Sequence, residues 1–136
     1  EVGVAHGIYS AFMADLFKPT KMLLVDKTSS HFQDVNMRPC QEWLEGYSGE
    51  VIPQIAEKSL DYAYIDGAHD FMTVSDDIEK ILPKMKDDGI IQFNDYTTFN
   101  LRFALPYGVK AAVDADDDDF DDDDDDEGGA EIFYVR

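Results

Sequence analysis

The sequence predicts a single α/β domain over residues 1–136, with a doubly wound, mostly parallel sheet and helices on both faces. Three observations support this. Short apolar runs with the length of strands alternate with amphipathic segments along the chain, which is typical of parallel sheets. The turns after several of these runs carry glycine or acidic residues. In open α/β sheets, ligands bind where the strands end, so those turns are the first candidates for a site.

The first seven residues, EVGVAHG, predict a strand that enters a glycine turn. Apolar residues from Ile8 to Phe17 then recur at helical spacing until Pro19 ends the helix. Glycine lacks the Cβ that would keep a ligand away from the backbone, so a strand, a glycine turn and a helix suit a nucleotide-like ligand. The alternative is an ordinary tight turn between a strand and a helix.

Residues Lys21–Val25 are predicted to form the second strand, and Asp26 stands at its end. An acid about 20 residues after a glycine turn is placed to accept hydrogen bonds from ribose hydroxyls. A solvated aspartate at the start of a loop is the alternative. Residues Glu42–Gly46 suit a third strand, and Ser48 is predicted to be the N-cap of the helix that follows.

Residues Leu60–Tyr96 predict a strand, a helix and a second strand. The apolar positions of the helix are Phe71, Val74, Ile78, Ile81, Leu82 and Met85, whereas Asp76, Asp77, Glu79, Lys80 and Lys84 are expected to face elsewhere. Such a unit is right-handed and its strands are parallel. Asp66 and Asp95, which follow the two strands, should therefore meet at one edge of the sheet.

The chain after Tyr96 begins with an apolar, aromatic loop. Its rings, Phe99, Phe103 and Tyr107, form either a substrate wall over the acidic edge or a plug at the end of the sheet. A helix is predicted from Gly108, and a last strand over residues Ile132–Val135.

The net charge of −19 comes largely from one low-complexity segment, residues 114–129, which contains 12 acids. Without these acids the charge is −7. The segment repels itself and cannot bury apolar area, so we expect a disordered insertion. The 11 Lys and Arg residues form no basic stripe, which argues against nucleic-acid and anionic membrane partners.

Cys40 is the one cysteine, which suits a reducing compartment such as the cytoplasm. The chain starts at Glu1 without a Met, and its first residues are already predicted to form a strand, so we expect an N-terminally truncated fragment. The sequence is compatible with a homo-oligomer as well as with a monomer.

The glycine turn, the LLVD segment ending at Asp26 and the block from IDGAHD to FNDY resemble class I S-adenosylmethionine-dependent methyltransferases with a Rossmann-like fold. The closest resemblance is to the small-molecule O-methyltransferase-like group. It covers nearly the whole chain apart from the acidic segment. It implies S-adenosylmethionine as the cofactor and a small-molecule acceptor.

The resemblance also implies roles for individual residues. Glu1, Gly3 and Gly7 would shape the pocket for the methionine moiety, with Ala5 in place of the middle glycine. Asp26 would bind the ribose, Asp66 would lie beside the cofactor, and Tyr47 with Ser48 would lie near the adenine. Tyr47 lacks the acid that the family often has there, so stacking replaces polar recognition.

Some relatives hold Mg²⁺ at the positions of Asp66, Asn94 and Asp95. Such an ion would acidify an acceptor hydroxyl, which then attacks the sulfonium methyl. The alternative is that these acids cap turns and contact cofactor or water. His69 is the candidate general base, in a catalytic pair with Asp66. Otherwise His69 caps the next helix or orients Asp66.

The sequence therefore predicts methyl transfer from S-adenosylmethionine to a hydroxyl of a small molecule. Two other functions compete with it: a non-catalytic, degenerate methyltransferase-fold binding module, and an NAD-dependent oxidoreductase. The oxidoreductase fits less well, because the glycine spacing lacks G-x-G-x-x-G and the IDGAHD segment has no role in it.

Overall fold

The computed structural model describes residues 1–102, 104–117 and 131–134. Four helices and seven strands lie in these residues. The helices are α1 (Ile8–Phe17), α2 (Ser48–Val51), α3 (Phe71–Ile81) and α4 (Val109–Asp117). The strands are β1 (Met22–Asp26), β2 (Gln41–Glu45), β3 (Leu60–Ile65), β4 (Met85–Phe93), β5 (Phe99–Asn100), β6 (Leu105–Pro106) and β7 (Glu131–Tyr134).

The main sheet is parallel, as predicted. β2 pairs with β1, and β3 pairs with β4, which pairs with β7. These two groups of strands are joined at Val2, which makes parallel bridges to both Val25 and Ile65. The predicted N-terminal strand is therefore present as a single bridging position. The short strands β5 and β6 form a separate antiparallel pair within the aromatic loop.

Helices cover both faces of the sheet, which confirms the doubly wound α/β fold. The largest apolar cluster joins side chains of the sheet, such as Ile65 and Ile91, to Ile78 of α3 and Val113 of α4. Alternate residues of a strand face opposite sides, so Tyr64 points away from this cluster. Its ring stacks on Tyr9 of α1 with the centroids 4.0 Å apart.

The helix after β2 differs from its prediction. Tyr47, not Ser48, occupies the N-cap position, and its side chain makes no capping hydrogen bond. Ser48 is already helical, and the α-helix ends at Val51, where a short 3₁₀ helix (Ile52–Gln54) begins. Pro53 accounts for this early end, because proline has no amide hydrogen with which to continue the α-helical hydrogen bonds.

The end and the polar face of α3 also differ from the prediction. The α-helix ends at Ile81, Leu82–Lys84 form a 3₁₀ helix, and Met85 begins β4. Lys84 is buried, because the tighter 3₁₀ turn changes the direction of its side chain from the one that α-helical spacing predicts. Asp77 is only 1% exposed, although the helical spacing placed it away from the core. It lies next to Ile78 and three residues after Val74, at the border of the apolar stripe. Packing against the Ser48 side chain brings this border position inside the protein.

Residues 114–117, at the start of the predicted acidic insertion, are helical rather than irregular, because α4 continues through Asp117. Asp114 is held there by an ion pair with Lys110 one turn earlier and by a hydrogen bond from the Tyr96 hydroxyl. Residues 118–130, Phe103 and Val135 lie outside the described part of the chain. Within the described residues, no helix is both long and apolar enough to cross a bilayer.

Candidate functional site

The glycine turn touches the end of β3 directly. Gly3 has a φ of 83°, and a Cβ on it would lie 2.1 Å from the carbonyl oxygen of Asp66. The Val2 amide donates to the Tyr64 carbonyl, and the Asp66 amide donates to the Val2 carbonyl, each at 2.8 Å. The turn and Asp66 are thus one rigid unit, and glycine at position 3 is required by this contact.

Gly7 closes the turn beneath an aromatic ring. A Cβ at this position would lie 2.2 Å from the Phe32 ring, and Gly7 has a φ of 76°. Phe32 itself packs edge-on against Trp43. The Asn36 side chain donates to the carbonyl of His6 at 2.7 Å, which holds the loop after β1 against the turn. Phe32 thus lies beside the predicted cofactor turn, and the irregular sequence around it gave no signal.

Asp26 binds the backbone of the glycine turn. Its Oδ2 accepts hydrogen bonds from the amides of Val4 at 2.9 Å and Ala5 at 3.1 Å, and its Oδ1 accepts one from Thr28 at 3.3 Å. Burial raises the pKa of this carboxyl, but the amide hydrogen bonds outweigh burial and the net shift is downward. Asp26 is therefore ionised at neutral pH and fixes the turn where a ribose is predicted to bind.

β2 ends at a second acid, Glu45, which the sequence did not single out as a candidate site residue. Its Oε2 accepts hydrogen bonds from the Ser29 amide at 3.0 Å and the Ser29 hydroxyl at 2.7 Å. The adjoining Tyr47 is 68% exposed, so its ring is free for stacking on a planar ligand. Position at a strand end, the signal used for Asp26, also applied to Glu45.

At the opposite side of the turn, Asp66, His69 and Asp95 come together. One ligand atom from each lies within 4.8 Å of the others, a spacing that suits a shared metal ion. Burial raises the pKa of the Asp66 carboxyl, with Asp95 adding to the effect and Asn94 opposing it. The Asn94 side-chain amide donates to Asp66 Oδ1 at 2.9 Å, so Asn94 orients the Asp66 carboxylate.

His69 is held by its neighbours. Its ring stacks on Tyr107 at 4.4 Å between centroids, and its Nε2 lies 4.0 Å from Asp95 Oδ2. Its carbonyl accepts a hydrogen bond from the Gly108 amide at 2.7 Å. The cap of α3 is Asp70, whose side chain accepts from the Thr73 amide at 3.0 Å, so capping is not the role of His69.

A family model described as "Methyltransferase domain" matches residues 1–96. The matched region runs from the glycine turn through Asp26, Asp66 and Asp95. The chain belongs to the methyltransferase domain family. No curated protein and no solved structure matches it significantly. The family confirms the class I S-adenosylmethionine-dependent fold and methyl transfer as the activity, with S-adenosylmethionine as the implied donor.

The predicted residues of the methyltransferase site fall into two groups on one edge of the sheet. The first group is the glycine turn with Gly3, Ala5 and Gly7, together with Asp26, whose carboxylate accepts hydrogen bonds from the backbone of the turn. The second group is the polar cluster, which consists of Asp66, His69, Asn94 and Asp95. Tyr47 and Ser48 follow the end of β2. Glu1 lies deeper, and burial raises the pKa of its carboxyl to about 7 against the lowering effect of the amino terminus.

Asp77 packs against Ser48, one of the predicted adenine contacts, and its burial can be tested by changing the pH. Burial raises the pKa of its carboxyl, and a hydrogen bond from Ser48 opposes the shift. A folded-state pKa above the unfolded value means that stability falls as pH rises through that range. Asp77→Asn should therefore gain free energy of unfolding relative to the parent as the pH rises from 4 to 8.

Urea unfolding of both proteins across this pH range measures the difference. Asp70→Asn is the control of opposite sign, because the Thr73 hydrogen bonds lower the pKa of Asp70 and its ionised form stabilises the fold. That variant should lose stability relative to the parent over the same range. A difference for Asp77→Asn that does not change with pH would contradict the burial of its charge.

Proposed function

We propose that this methyltransferase modifies a hydroxyl oxygen of a small molecule, assisted by a divalent cation at Asp66, His69 and Asp95. The observation that carries the proposal is the convergence of two carboxylates and an imidazole within 4.8 Å, in direct contact with the glycine turn. An oxygen nucleophile must lose its proton before or during transfer. An edge rich in carboxylates beside the donor turn suits that requirement.

The cluster fits a small divalent ion. Carboxylate oxygens are preferred ligands of Mg²⁺, and the imidazole nitrogen extends the range to Mn²⁺ or Zn²⁺. Asp66 and Asp95 would supply the charge, His69 the third ligand atom, and Asn94 would hold Asp66 in position. A bound cation lowers the pKa of a coordinated hydroxyl, which is the chemistry it would add here.

In the absence of a cation, His69 supplies a second route for the proton. Its stacking on Tyr107 fixes the ring plane, and Asp95 lies on the Nε2 side. A neutral imidazole so placed accepts the proton of an acceptor hydroxyl, and the carboxylate stabilises the imidazolium that forms.

In the reaction, the acceptor oxygen forms a bond to the methyl carbon while the carbon–sulfur bond breaks and its electron pair stays on sulfur. In-line displacement of this kind depends mainly on positioning. The hydrogen bonds from the glycine turn to Asp26 and the contact of Gly3 with Asp66 would supply that positioning, because they fix the glycine turn relative to the polar cluster.

The proposal is tested with methyl-labelled S-adenosylmethionine and a panel of phenols, sugars and amines. We expect the label on hydroxyl acceptors. Calorimetry should show at least tenfold weaker binding of S-adenosylmethionine by Asp26→Ala, because this variant loses the hydrogen bonds that hold the glycine turn. Asp61→Ala is the matched control, since Asp61 lies on β3 with an exposed side chain paired to Lys86.

Three results would contradict parts of the proposal. Label on amines alone would exclude the oxygen acceptor. Donor binding without turnover on any acceptor would favour a binding module over an enzyme. Binding that is unchanged in Asp26→Ala would show that the glycine turn is not the donor site.

A further inference from the structure

Asp77 is the most deeply buried charged side chain in the described part of the chain. It is 1% exposed, and one of its two carboxylate oxygens, Oδ1, has no hydrogen-bond partner among the described residues. A buried carboxylate that lacks part of its hydrogen bonds costs stability, and an apolar side chain of similar shape often costs less. The packing of α3 therefore does not by itself explain an aspartate at this position.

The carboxyl of Asp77 faces the start of α2. The Ser48 hydroxyl donates a hydrogen bond to it. The next residue, Gly49, is packed just as closely, because a Cβ there would lie 2.9 Å from Oδ2 of Asp76 and 3.4 Å from Nζ of Lys80. The first turn of α2 is therefore packed directly against one turn of α3.

The residue before Ser48 carries an exposed ring. Tyr47 is 68% exposed, and its side chain makes no capping hydrogen bond to α2. On its other side, the Gly46 backbone amide donates to the carbonyl of Asp26, the predicted ribose ligand, at 2.9 Å. The backbone of Tyr47 is thus held on both sides, by Gly46 at the end of β1 and by Ser48 at α3. A ring on a backbone that is already fixed loses less conformational freedom when a ligand stacks on it.

We propose that Asp77 is a positioning residue for the nucleoside end of the methyl donor: through Ser48 it holds Tyr47 as a stacking surface beside Asp26. The proposal rests on the methyltransferase function proposed above. It adds a residue of α3 to a site that is otherwise built from the glycine turn and the strand ends. Asp77 is buried and acts through Ser48 rather than by contact with the donor. Stacking favours binding only when the ring lies in the right place, so loss of this hydrogen bond should weaken binding.

The test compares Asp77→Leu with Asp77→Asn. Leucine has the branched outline of aspartate but accepts no hydrogen bond, whereas asparagine keeps an oxygen that can accept from Ser48. Calorimetry with S-adenosylmethionine should show about tenfold weaker binding by Asp77→Leu and nearly parental binding by Asp77→Asn. Ser48→Ala should show the same loss as Asp77→Leu, and the double variant should lose little more than either single variant.

Stability and turnover separate positioning from a merely structural role. Because Asp77→Leu removes the unpaired buried oxygen, its Tm should be no more than about 3 °C below that of the parent. Its KM for the donor should rise about tenfold with kcat unchanged, as expected when the lost interaction is equally strong in the ground state and the transition state. Glu79→Gln is the matched control, since it removes one charge from an exposed position of α3 and should change none of these quantities.

Full donor affinity in both Asp77→Leu and Ser48→Ala would overturn the inference and leave the proposed function intact. Affinity that falls together with Tm in every variant, Asp77→Asn included, would also overturn it, because Asp77 would then support only the fold. If Asp77→Leu does not fold, weaker binding by Ser48→Ala with parental binding by Asp77→Asn gives the same support. Donor binding by the parent without turnover on any acceptor would contradict the proposed function, while the affinities of the variants would still decide the role of Asp77.

Discussion

Gly3→Ala is expected to weaken binding of S-adenosylmethionine by roughly 100-fold. The added Cβ would lie 2.1 Å from the Asp66 carbonyl oxygen, and the residue would hold a φ of 83°. Backbone cannot yield as a flexible side chain can, so the turn and the end of β3 must separate. Left-handed strain and overpacking together amount to about 3 kcal/mol, or roughly 100-fold in binding if the turn alone absorbs them.

Gly67→Ala is the matched control for Gly3→Ala. Its Cβ would meet the Val2 side chain at 3.5 Å, an ordinary van der Waals distance. We expect a change within about 0.5 kcal/mol in stability and no measurable change in donor affinity. Calorimetry and thermal unfolding of both variants give the comparison. Full donor affinity in Gly3→Ala would refute the proposed rigid contact between the donor turn and Asp66.

Asp66→Asn is expected to lower methyl transfer by about 10²- to 10⁴-fold while the protein stays folded. The substitution removes a charge from the polar cluster but keeps the shape of the side chain and an acceptor for Asn94. Because burial raises the pKa of Asp66, the parent should lose activity on acidification at a higher pH than an ordinary carboxylate would cause. Asp61→Asn, on the exposed part of β3, should retain full turnover.

Chelation separates the two roles proposed for the cluster. If a cation is held there, EDTA should abolish activity of the parent and added Mg²⁺ or Mn²⁺ should restore it, whereas Asp66→Asn should respond weakly to either. Activity that resists EDTA but is lost in His69→Gln would assign the proton to His69 without a metal. Full turnover by Asp66→Asn would remove the cluster from the mechanism altogether.

Sequence periodicity was sufficient for the parts of the fold with regular patterns. The spacing of Val74, Ile78 and Ile81 predicted α3, and parallel pairing of β3 with β4 brought Asp66 and Asp95 to one edge, as expected. These features follow from the local pattern and from the handedness of the crossover. The glycine turn before α1 was predicted from its residue types.

Other features depend on contacts that no local pattern encodes. Phe32 reaches Gly7 from an irregular loop, and Asp77 is buried by packing against α2. The cap at Tyr47 depends on the backbone dihedrals before α2 and not on the residue type that usually caps a helix.

Both ends of the aromatic segment between Asn94 and Gly108 are fastened to the polar cluster. The Asn94 backbone amide donates to the Ile65 carbonyl at 2.9 Å, and the Gly108 backbone amide donates to the His69 carbonyl at 2.7 Å. The entropy of closing a loop changes slowly with its length, so insertions between such fixed ends cost little. Residues 97–106 can therefore diverge in evolution, and with them the range of accepted molecules, while Asp95 and Tyr107, which contact His69, stay in place.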